Sequence, residues 1–340
     1  MKRAIVLILL LASSFVAKGH KLLDCTDVIS GGYDFLLYLP ESYDKTEEKL
    51  PVVVYLHGRS CTGTDIKMVT KYGTITALRQ GVDVNAIVIA PQVESVKKGW
   101  EPKKVMEVLD YVSARYRVDS NRIYAFGMSM GGNGVYKVLS AYPDKFAAGI
   151  SMCGVCLVDE KPMANVPLWI IHGTNDTAIP YSRSKDLVQK MIAGKMASRL
   201  RFTLLEGCDH SILARVYMLE KAYKWLFKHS LTDEGRPVSM EYDVTPSDLH
   251  NIHRNLKTKP RNIPIVKPNG TVVDTQSAKP SQKPQATKPQ TTGKKYHVIV
   301  SGDTLSGIAK KYNTKVSELC RLNNMKETDI LKLGVKLRVK

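Results

Sequence analysis

The feature that most constrains the fold is a series of short apolar runs across residues 21–235, separated by stretches with helical spacing. Several runs are almost continuously apolar and are bounded by Gly or Pro, which is typical of strands covered on both faces. In residues 105–116, by contrast, apolar side chains recur three and four positions apart, on one face of a helix. Such alternation predicts an α/β fold with a mostly parallel sheet flanked by helices. The expected strands are Phe35–Leu39, Val52–Leu56, Ala86–Ala90, Ile123–Phe126, Ala148–Met152, Leu168–Ile171 and Phe202–Leu205.

A Gly-x-Ser-x-Gly sequence at residues 127–131 stands between an expected strand, RIYAF, and an expected helix, NGVYKVLSAY. A serine on such a turn is typical of a catalytic nucleophile, and the start of the helix offers free N–H groups to negative charge. A phosphate-binding loop requires Lys-Ser or Lys-Thr after the glycines, and neither follows them here. A dinucleotide-binding loop comes early in its βαβ unit, whereas several expected strands precede this motif. A bare turn is the remaining alternative, because a five-residue pattern also arises by chance.

Possible acid and base partners for Ser129 follow it along the chain. Asp176 lies just after the expected strand in PLWIIHGTND, and His210 lies just after the one in RFTLLEGCDH. The order Ser, Asp, His is that of the α/β-hydrolase arrangement. It predicts that Ser129 attacks a carbonyl, His210 takes up the serine proton, and Asp176 orients the imidazole. Two competitors fit less well: His172 precedes the acid and suits a structural residue at a strand end, while the side chain of Asp209 points away from its neighbour His210.

Two backbone N–H groups are expected to stabilise the oxyanion that this attack would form. Met130 directly follows the nucleophile and supplies one. Arg59 supplies the other, because it follows the apolar strand of VVVYLHG in the loop above the sheet.

These motifs resemble those of the secreted α/β-hydrolase esterases over about residues 33–228. The nearest group is that of feruloyl and acetyl-xylan esterases and polyhydroxybutyrate-depolymerase-like enzymes. The resemblance implies hydrolysis of carboxylic esters through an acyl-enzyme, without cofactor or metal, with acetyl or feruloyl groups on a polysaccharide, or a small ester, as substrate. It also leads us to expect substrate contacts from His57 and from Trp100, for which packing is the alternative role. The segments that carry it are PVVVYLHG, IVIAPQ, GMSMGGNGVY, AYPDKFAAGISMCG, LWIIHGTNDTAIP and GCDH.

Two other functions stay open at this point. A serine peptidase of the prolyl-oligopeptidase type shares the fold and the triad. A non-catalytic cell-wall binding protein with a vestigial hydrolase fold is the alternative outside the enzymes, and the complete set of Ser, Asp and His argues against it.

The composition changes at about residue 236. Residues 236–295 hold eight of the sixteen prolines, and repeated Lys-Pro with Gln, Ser and Thr predicts an extended, solvated spacer. We therefore expect a hydrolase domain at 20–235 and a linker at 236–295, whose first half retains apolar residues able to pack on that domain. Two-thirds of the net charge of +18 lies in residues 236–340. Because aromatic residues are not interleaved with the linker's basic ones, contact with an anionic envelope polymer or a merely solvated tail is favoured over binding to nucleic acid.

Residues 296–340 resemble a LysM module over their whole length, with strands at Tyr296–Val300 and Lys336–Val339 and helices at Thr304–Tyr312 and Lys315–Asn323. Thr304 is expected to cap the first helix. The resemblance implies a βααβ fold whose shallow groove binds N-acetylglucosamine polymers such as peptidoglycan or chitin. The groove residues that it implies are Gly302, Asp303, Thr304, Leu305, Ile330 and Leu331.

Residues 1–19 have the pattern of a signal peptide, with two basic residues, an apolar run at 4–16 and small residues before a cleavage site after Gly19. Thirteen apolar residues are few for a membrane span, so we expect an exported protein in the periplasm, cell envelope or medium, with no stable membrane span. In that setting the six cysteines are disulfide candidates. The Cys153-x-x-Cys156 pair lacks the second ligand pair that zinc would need, so a disulfide or buried thiols are expected there.

Overall fold

A computed structural model describes residues 19–252, 256, 259–274, 296–299, 304–325, 329 and 335–339. The chain divides after residue 278 into two compact units. The expected signal peptide, apart from Gly19, and residues 275–295 of the expected linker lie outside the described residues.

The first unit is built on a ten-stranded sheet with the order β10-β9-β1-β2-β4-β3-β5-β6-β7-β8. The six neighbouring strands β4-β3-β5-β6-β7-β8 are parallel to one another. Strand β2 is antiparallel to both of its neighbours, β1 and β4. This confirms the predicted, mostly parallel sheet, and each of the seven expected strands overlaps one of β2 to β8. The strands are β1 (Lys21–Cys25), β2 (Phe35–Leu39), β3 (Leu50–Leu56), β4 (Ile87–Pro91), β5 (Val118–Met128), β6 (Ala148–Met152), β7 (Leu168–Gly173), β8 (Leu200–Leu205), β9 (Ile265–Val266) and β10 (Val272–Asp274).

Helices cover both faces of this sheet. Successive residues of β3 alternate between two buried apolar clusters, Val53 on one face and Val54 on the other, as the period of two in a strand requires. Apolar side chains of α2, α3 and α5 complete one cluster, and those of α1, α6 and α7 complete the other. This three-layer arrangement is the α/β-hydrolase type of fold. The helices are α1 (Thr74–Arg79), α2 (Pro102–Ser113), α3 (Met130–Ala141), α4 (Glu160–Met163), α5 (Ser182–Ala193), α6 (Glu220–Phe227) and α7 (Pro246–His250), with 3₁₀ turns at Glu41–Asp44, Arg59–Cys61, Ile66–Thr70 and Ile212–Met218.

The first part of the expected linker packs on the hydrolase unit, as its apolar residues allow, so the compact unit extends to residue 278, past the expected boundary at 235. The short strand β9 pairs in parallel with β1 and extends the sheet, and β10 pairs with β9. Val244, Leu249, Ile252, Ile263 and Ile265 are buried in the cluster that contains α1 and α6. Their burial removes apolar surface from water, which stabilises this segment on the domain despite its linker-like composition.

The second unit shows the expected βααβ order in its described part. Strands β11 (Tyr296–Val298) and β12 (Lys336–Arg338) pair antiparallel, and helices α8 (Leu305–Lys311) and α9 (Val316–Asn323) lie between them in sequence. Asn323 at the end of α9 holds β12 through both polar atoms of its side-chain amide: its Nδ2 donates to the Arg338 carbonyl at 2.7 Å, and its Oδ1 accepts from the Arg338 N–H at 2.6 Å. The core of the unit is small, as expected for about 45 residues. It comprises Ile299, Leu305, Ile308, Ala309, Leu319, Cys320, Leu337 and Val339.

Among the described residues no helix combines the length and the apolar character needed to cross a bilayer. In the first unit the five cysteines are free thiols, so Cys153 and Cys156 are not joined by a disulfide; Cys153 is buried and Cys156 is half-buried. Four of the five are buried: Cys25, Cys61, Cys153 and Cys208.

Candidate active site

Ser129 lies on a tight turn between the end of β5 and the start of α3. Its backbone has φ 60° and ψ −123°, a conformation that costs a non-glycine residue on the order of 1–3 kcal/mol. The turn is held by a hydrogen bond from the Ser129 N–H to the Met152 carbonyl, at 2.8 Å. A methyl group at Gly127 would overlap the backbone of Gly131, and one at Gly131 would overlap the Leu56 carbonyl. The glycines of the motif therefore permit the close approach of α3 to β5 and β3.

The expected base and acid are paired. The Nδ1 atom of His210 lies 2.7 Å from Oδ2 of Asp176, whose side chain is fully buried. The Oδ1 atom of Asp176 accepts the backbone N–H groups of Ala178, at 2.9 Å, and Ile179, at 2.8 Å. These bonds fix the carboxylate in the loop after β7. The imidazole is a quarter exposed, and it lines the same cavity as Ser129.

Both expected oxyanion donors begin a helical turn. Met130 is the first residue of α3, and Arg59 is the first residue of the 3₁₀ turn Arg59–Cys61. First residues of a helix have no acceptor for their N–H groups within it, so both groups are available to a ligand. Arg59 and Met130 line the cavity that contains Ser129.

The loop that carries Arg59 is held by residues that follow β4. The Nε2 group of the buried Gln92 donates to the carbonyls of Cys61, at 2.9 Å, and Asp65, at 2.8 Å. The Gly63 N–H donates to the Val93 carbonyl at 3.0 Å. The sequence reasoning missed Gln92, although the segment IVIAPQ that ends with it was already part of the resemblance.

The expected contact between His57 and substrate is wrong. The ring is fully buried, and both its nitrogens are occupied by backbone: Nδ1 donates to the Gly58 carbonyl at 2.7 Å, and Nε2 accepts the Val93 N–H at 3.0 Å. Burial lowers the pKa of His57 to about 4, so the ring is neutral at physiological pH. His57 therefore ties the end of β3 to the end of β4.

Trp100 lines the cavity although it is almost fully buried. Its Nε1 donates to the His57 carbonyl at 3.2 Å, and its ring packs edge-on against Tyr33 and His57. A methyl group at Gly134 of α3 would lie 2.7 Å from the indole ring, so this glycine makes room for the tryptophan. Trp100 is thus a wall of the cavity and a packing residue together.

Asp176 has two further neighbours, His172 and Cys153, and the sequence did not indicate that either lies beside it. The Nε2 atom of the buried His172 lies 3.4 Å from Oδ2 of Asp176 and 2.9 Å from the Ile179 carbonyl, while Nδ1 contacts the Ser184 hydroxyl at 2.7 Å. Burial lowers the pKa of His172, so the neutral ring donates from Nε2 and ties the Asp176 loop to β7. The second neighbour is the Cys153 thiol.

Ligand atoms of Cys153, Asp176 and His210 lie within 4.8 Å of one another, a separation that a metal ion could bridge. Burial raises the pKa of the Cys153 thiol well above its usual range, and the nearby Asp176 raises it further. Metal binding needs the thiolate. The set is therefore better described as a hydrogen-bonded acid–base pair beside a neutral thiol than as a metal site.

In the C-terminal unit, the described part includes two of the six expected glycan-binding residues. Thr304 is exposed, and its hydroxyl accepts the Gly307 N–H at 3.1 Å, which confirms the expected cap on α8. Leu305 is buried in the core of the unit, so its side chain stabilises the module rather than offering a surface to a glycan. The remaining four, Gly302, Asp303, Ile330 and Leu331, lie outside the described residues.

Comparison with known proteins agrees with this fold and identifies a family. The model of the Esterase family matches residues 27–202, just over half of the chain, and the LysM domain model matches residues 297–340. The chain belongs to the Esterase family, and it carries a LysM domain at its C-terminal end.

Among the relatives is a bifunctional acetylxylan esterase/xylanase, XynS20E, of Neocallimastix patriciarum, 26% identical over 159 residues. That match covers 45% of this chain and 22% of the relative, so the chain spans about a fifth of its length. Feruloyl esterase B of Thermothelomyces thermophilus is 24% identical over 208 residues, which are 55% of this chain and 67% of the relative. A solved structure of a thermostable esterase is 26% identical, covering 58% of this chain and 59% of that one, with a TM-score of 0.49.

Proposed function

We propose that the protein is a serine carboxylesterase in which Ser129 is the nucleophile. The observation that carries the proposal is the turn at Ser129, whose strained backbone presents the side chain to a cavity that the paired His210 also lines. Strain of this kind is retained where it serves a function.

In the proposed reaction each of these groups has one role. With Nδ1 of His210 bonded to Asp176, Nε2 is the nitrogen left to accept the Ser129 hydroxyl proton as the oxygen attacks the ester carbonyl. The N–H groups of Arg59 and Met130 stabilise the negative charge on the carbonyl oxygen, and losing such a donor typically costs about 10²–10³ in kcat. Protonated His210 then gives its proton to the departing alcohol. Water, activated by the same imidazole, releases the acid from the acyl-enzyme.

The acyl group of the proposed substrate is acetyl or feruloyl, carried by a polysaccharide. The names of the relatives support this choice, because they include an acetylxylan esterase and a feruloyl esterase. The cavity of about 1070 Å³ has room for either group and for part of the glycan.

We further propose that the protein is exported and that its LysM domain holds it on peptidoglycan or a related N-acetylglucosamine polymer. The signal-peptide pattern of residues 1–19 and the LysM match support this proposal. Joining a glycan-binding module to an esterase raises the concentration of substrate near Ser129.

The esterase proposal is tested with p-nitrophenyl acetate and methyl ferulate. We expect the protein to hydrolyse at least one of them and Ser129→Ala to abolish the reaction, whereas Ser182→Ala, an exposed serine outside the cavity, retains it. Equal rates for the unaltered protein and Ser129→Ala would refute the role of Ser129. Cleavage of peptides but not esters would identify the peptidase alternative.

The binding proposal is tested by co-sedimentation with peptidoglycan and with chitin. We expect the full chain to sediment and a chain ending at residue 295, which keeps the basic linker but lacks the module, to stay in solution. Equal sedimentation of the two would assign the attraction to the charge of the linker.

A further inference from the structure

The cavity around Ser129 carries charge of a single sign. Four basic residues line it, from three different segments: Arg59, Lys97, Lys98 and Lys137. None of the lining residues in the described part of the chain is acidic. The sequence reasoning did not identify this feature, because the four residues are spread over almost eighty positions.

Three of these cations have no carboxylate partner within the described residues. Lys98 pairs with Glu94, four positions earlier, which neutralises its charge locally. No ion pair is formed by Arg59, Lys97 or Lys137 in the same part of the chain.

Lys137 is held in place within the cavity wall. It lies in α3, two helical turns after Ser129, and is half-buried. Its Nζ donates to the Trp100 carbonyl at 3.0 Å, and a methyl group at Gly99 would lie 3.8 Å from it. One hydrogen bond leaves two of the three ammonium protons to other acceptors. The ammonium group is thus placed by the fold before any ligand arrives.

Uncompensated cations that share a cavity repel one another, and an anionic ligand relieves that repulsion. A cleft with low-dielectric walls also concentrates the field of its charges and attracts ions of the opposite sign. The same cavity presents two exposed apolar side chains, Val96, 44% exposed, and Leu157, 75% exposed. The lining therefore suits a molecule with an anionic group and an apolar part.

We propose that the ester hydrolysed at Ser129 bears an anionic group, a carboxylate or a phosphate, near the scissile bond. Arg59, Lys97 and Lys137 recognise that group. The inference rests on the esterase proposal and specifies the substrate of the same site. The charge belongs either to the alcohol that leaves, which keeps the acetyl or feruloyl acyl group proposed above, or to the acid that acylates Ser129, which would replace that acyl group by an anionic one.

Two pairs of esters test the inference and separate these sources. In the first pair, mono(p-nitrophenyl) succinate carries a carboxylate on its acyl group, and p-nitrophenyl valerate is the neutral ester of similar length. In the second pair, 4-acetoxybenzoate carries the carboxylate on the phenol that leaves, and 4-acetoxybenzamide is the neutral ester. For at least one pair we expect kcat/KM to favour the anionic member, and added NaCl to weaken the preference, because salt screens exposed charges.

The variants Lys97→Gln, Lys137→Gln and their combination identify the groups responsible. We expect the anionic-to-neutral ratio of kcat/KM to fall roughly threefold for each single change and about tenfold for both, in keeping with partly exposed ion pairs. Lys185→Gln, an exposed lysine of α5 outside the cavity, removes the same charge and should leave the ratio as it is. Both esters of a pair are measured on the same variant, so any loss of folded protein cancels in the ratio of their kcat/KM values.

The outcomes separate the two proposals. Hydrolysis of the neutral esters with no preference for the anionic ones in either pair, or a preference that the double variant retains, overturns the inference and leaves the esterase proposal standing. Failure to hydrolyse any ester overturns both.

Discussion

The Asp176 carboxylate shows how single residues determine this site. It is fully buried, and it is held by two backbone N–H groups, by His210 and by the nearby ring of His172. Asp209, its competitor in the sequence, instead accepts the Ile212 N–H at 2.9 Å, at the start of the 3₁₀ turn that follows His210. Two acids in similar sequence settings therefore serve different purposes.

Replacing Asp176 by Asn should lower kcat by about 10³–10⁴, because the amide cannot hold the imidazole in the correct tautomer or stabilise its charged form. Asp209→Asn is the matched control, and we expect it to stay within about threefold of the unaltered protein. Hydrolysis of p-nitrophenyl acetate by both variants, with circular dichroism to show that both are folded, makes the comparison. A larger loss for Asp209→Asn than for Asp176→Asn would reverse the assignment.

His57 should make stability depend on pH. An unfolded histidine has a pKa of about 6.5, whereas burial lowers that of folded His57 to about 4. As the pH falls from 6.5 to 4, the unfolded chain binds a proton that the folded chain does not, so the free energy of unfolding decreases, by up to about 3 kcal/mol for this group. Burial lowers the pKa of His172 and His229 as well, so these residues also decrease the free energy of unfolding as the pH falls.

The measurement is the Tm of the hydrolase unit at pH 7.5 and pH 4.5, for the unaltered protein and for His57→Gln. We expect the variant to have the lower Tm at pH 7.5, since glutamine cannot make both backbone contacts. Its Tm should, however, fall less than that of the unaltered protein between pH 7.5 and pH 4.5. Equal losses in the two proteins would show that His57 is not the group that titrates.

At the scale of elements, the site depends on how closely α3 approaches the sheet. Gly131 lies against the Leu56 carbonyl of β3, and Gly134 lies against Trp100, so the first turns of α3 have no room for side chains there. The same approach brings the Ser129 turn and the Arg59 loop to one cavity. Glycine lowers helix propensity by about 1 kcal/mol relative to alanine, so its presence in α3 serves packing and not helix formation.

Gly131→Ala should therefore destabilise the protein, by about 1–3 kcal/mol or more, although alanine is the better helix former. Because the helix must shift away from β3, kcat for p-nitrophenyl acetate should fall more than the stability alone explains. Urea unfolding and steady-state kinetics measure the two effects. Ser140→Ala, at the other end of α3, is the control. A Gly131→Ala protein as stable and active as the control would show that α3 does not need this approach.

At the scale of the whole molecule, the hydrolase unit closes with a segment whose sequence resembles a linker. The buried guanidinium of Arg201 donates to the Ser239 carbonyl at 3.3 Å and pairs with Asp243 at 3.2 Å, and the Trp225 indole donates to Ser239 at 2.8 Å. At the start of α7, Thr245 and Asp248 form a capping box. These contacts join residues 237–250 to β8 and α6.

Two truncated proteins test this boundary. A chain ending at 278 should unfold cooperatively and retain esterase activity, because it keeps β9, β10 and α7. A chain ending at 235 should unfold or aggregate, since each buried aliphatic side chain lost contributes roughly 1.5–3 kcal/mol. Thermal unfolding and binding of a hydrophobic dye distinguish them. Equal Tm values would show that residues 236–278 are a spacer after all.

The sequence by itself determined the strands β2 to β8 and the order of the two units, and it selected Ser129, Asp176 and His210 as the candidate active-site residues. Each rests on local rules: the periodicity of a strand or helix, the glycines of a tight turn, and the position of polar residues after buried strands. The weak apolar pattern of β9 and β10 escaped those rules, because two or three residues carry no periodicity.

Only the tertiary structure decided which groups meet. It turned His57 from an expected substrate contact into a buried tie between strands, returned residues 237–274 to the hydrolase unit, and brought Arg59, Lys97 and Lys137 to one cavity. The physical reason is the same in each case. Burial and electrostatic interaction depend on distance in space, and residues that lie far apart in the chain leave no joint pattern along it.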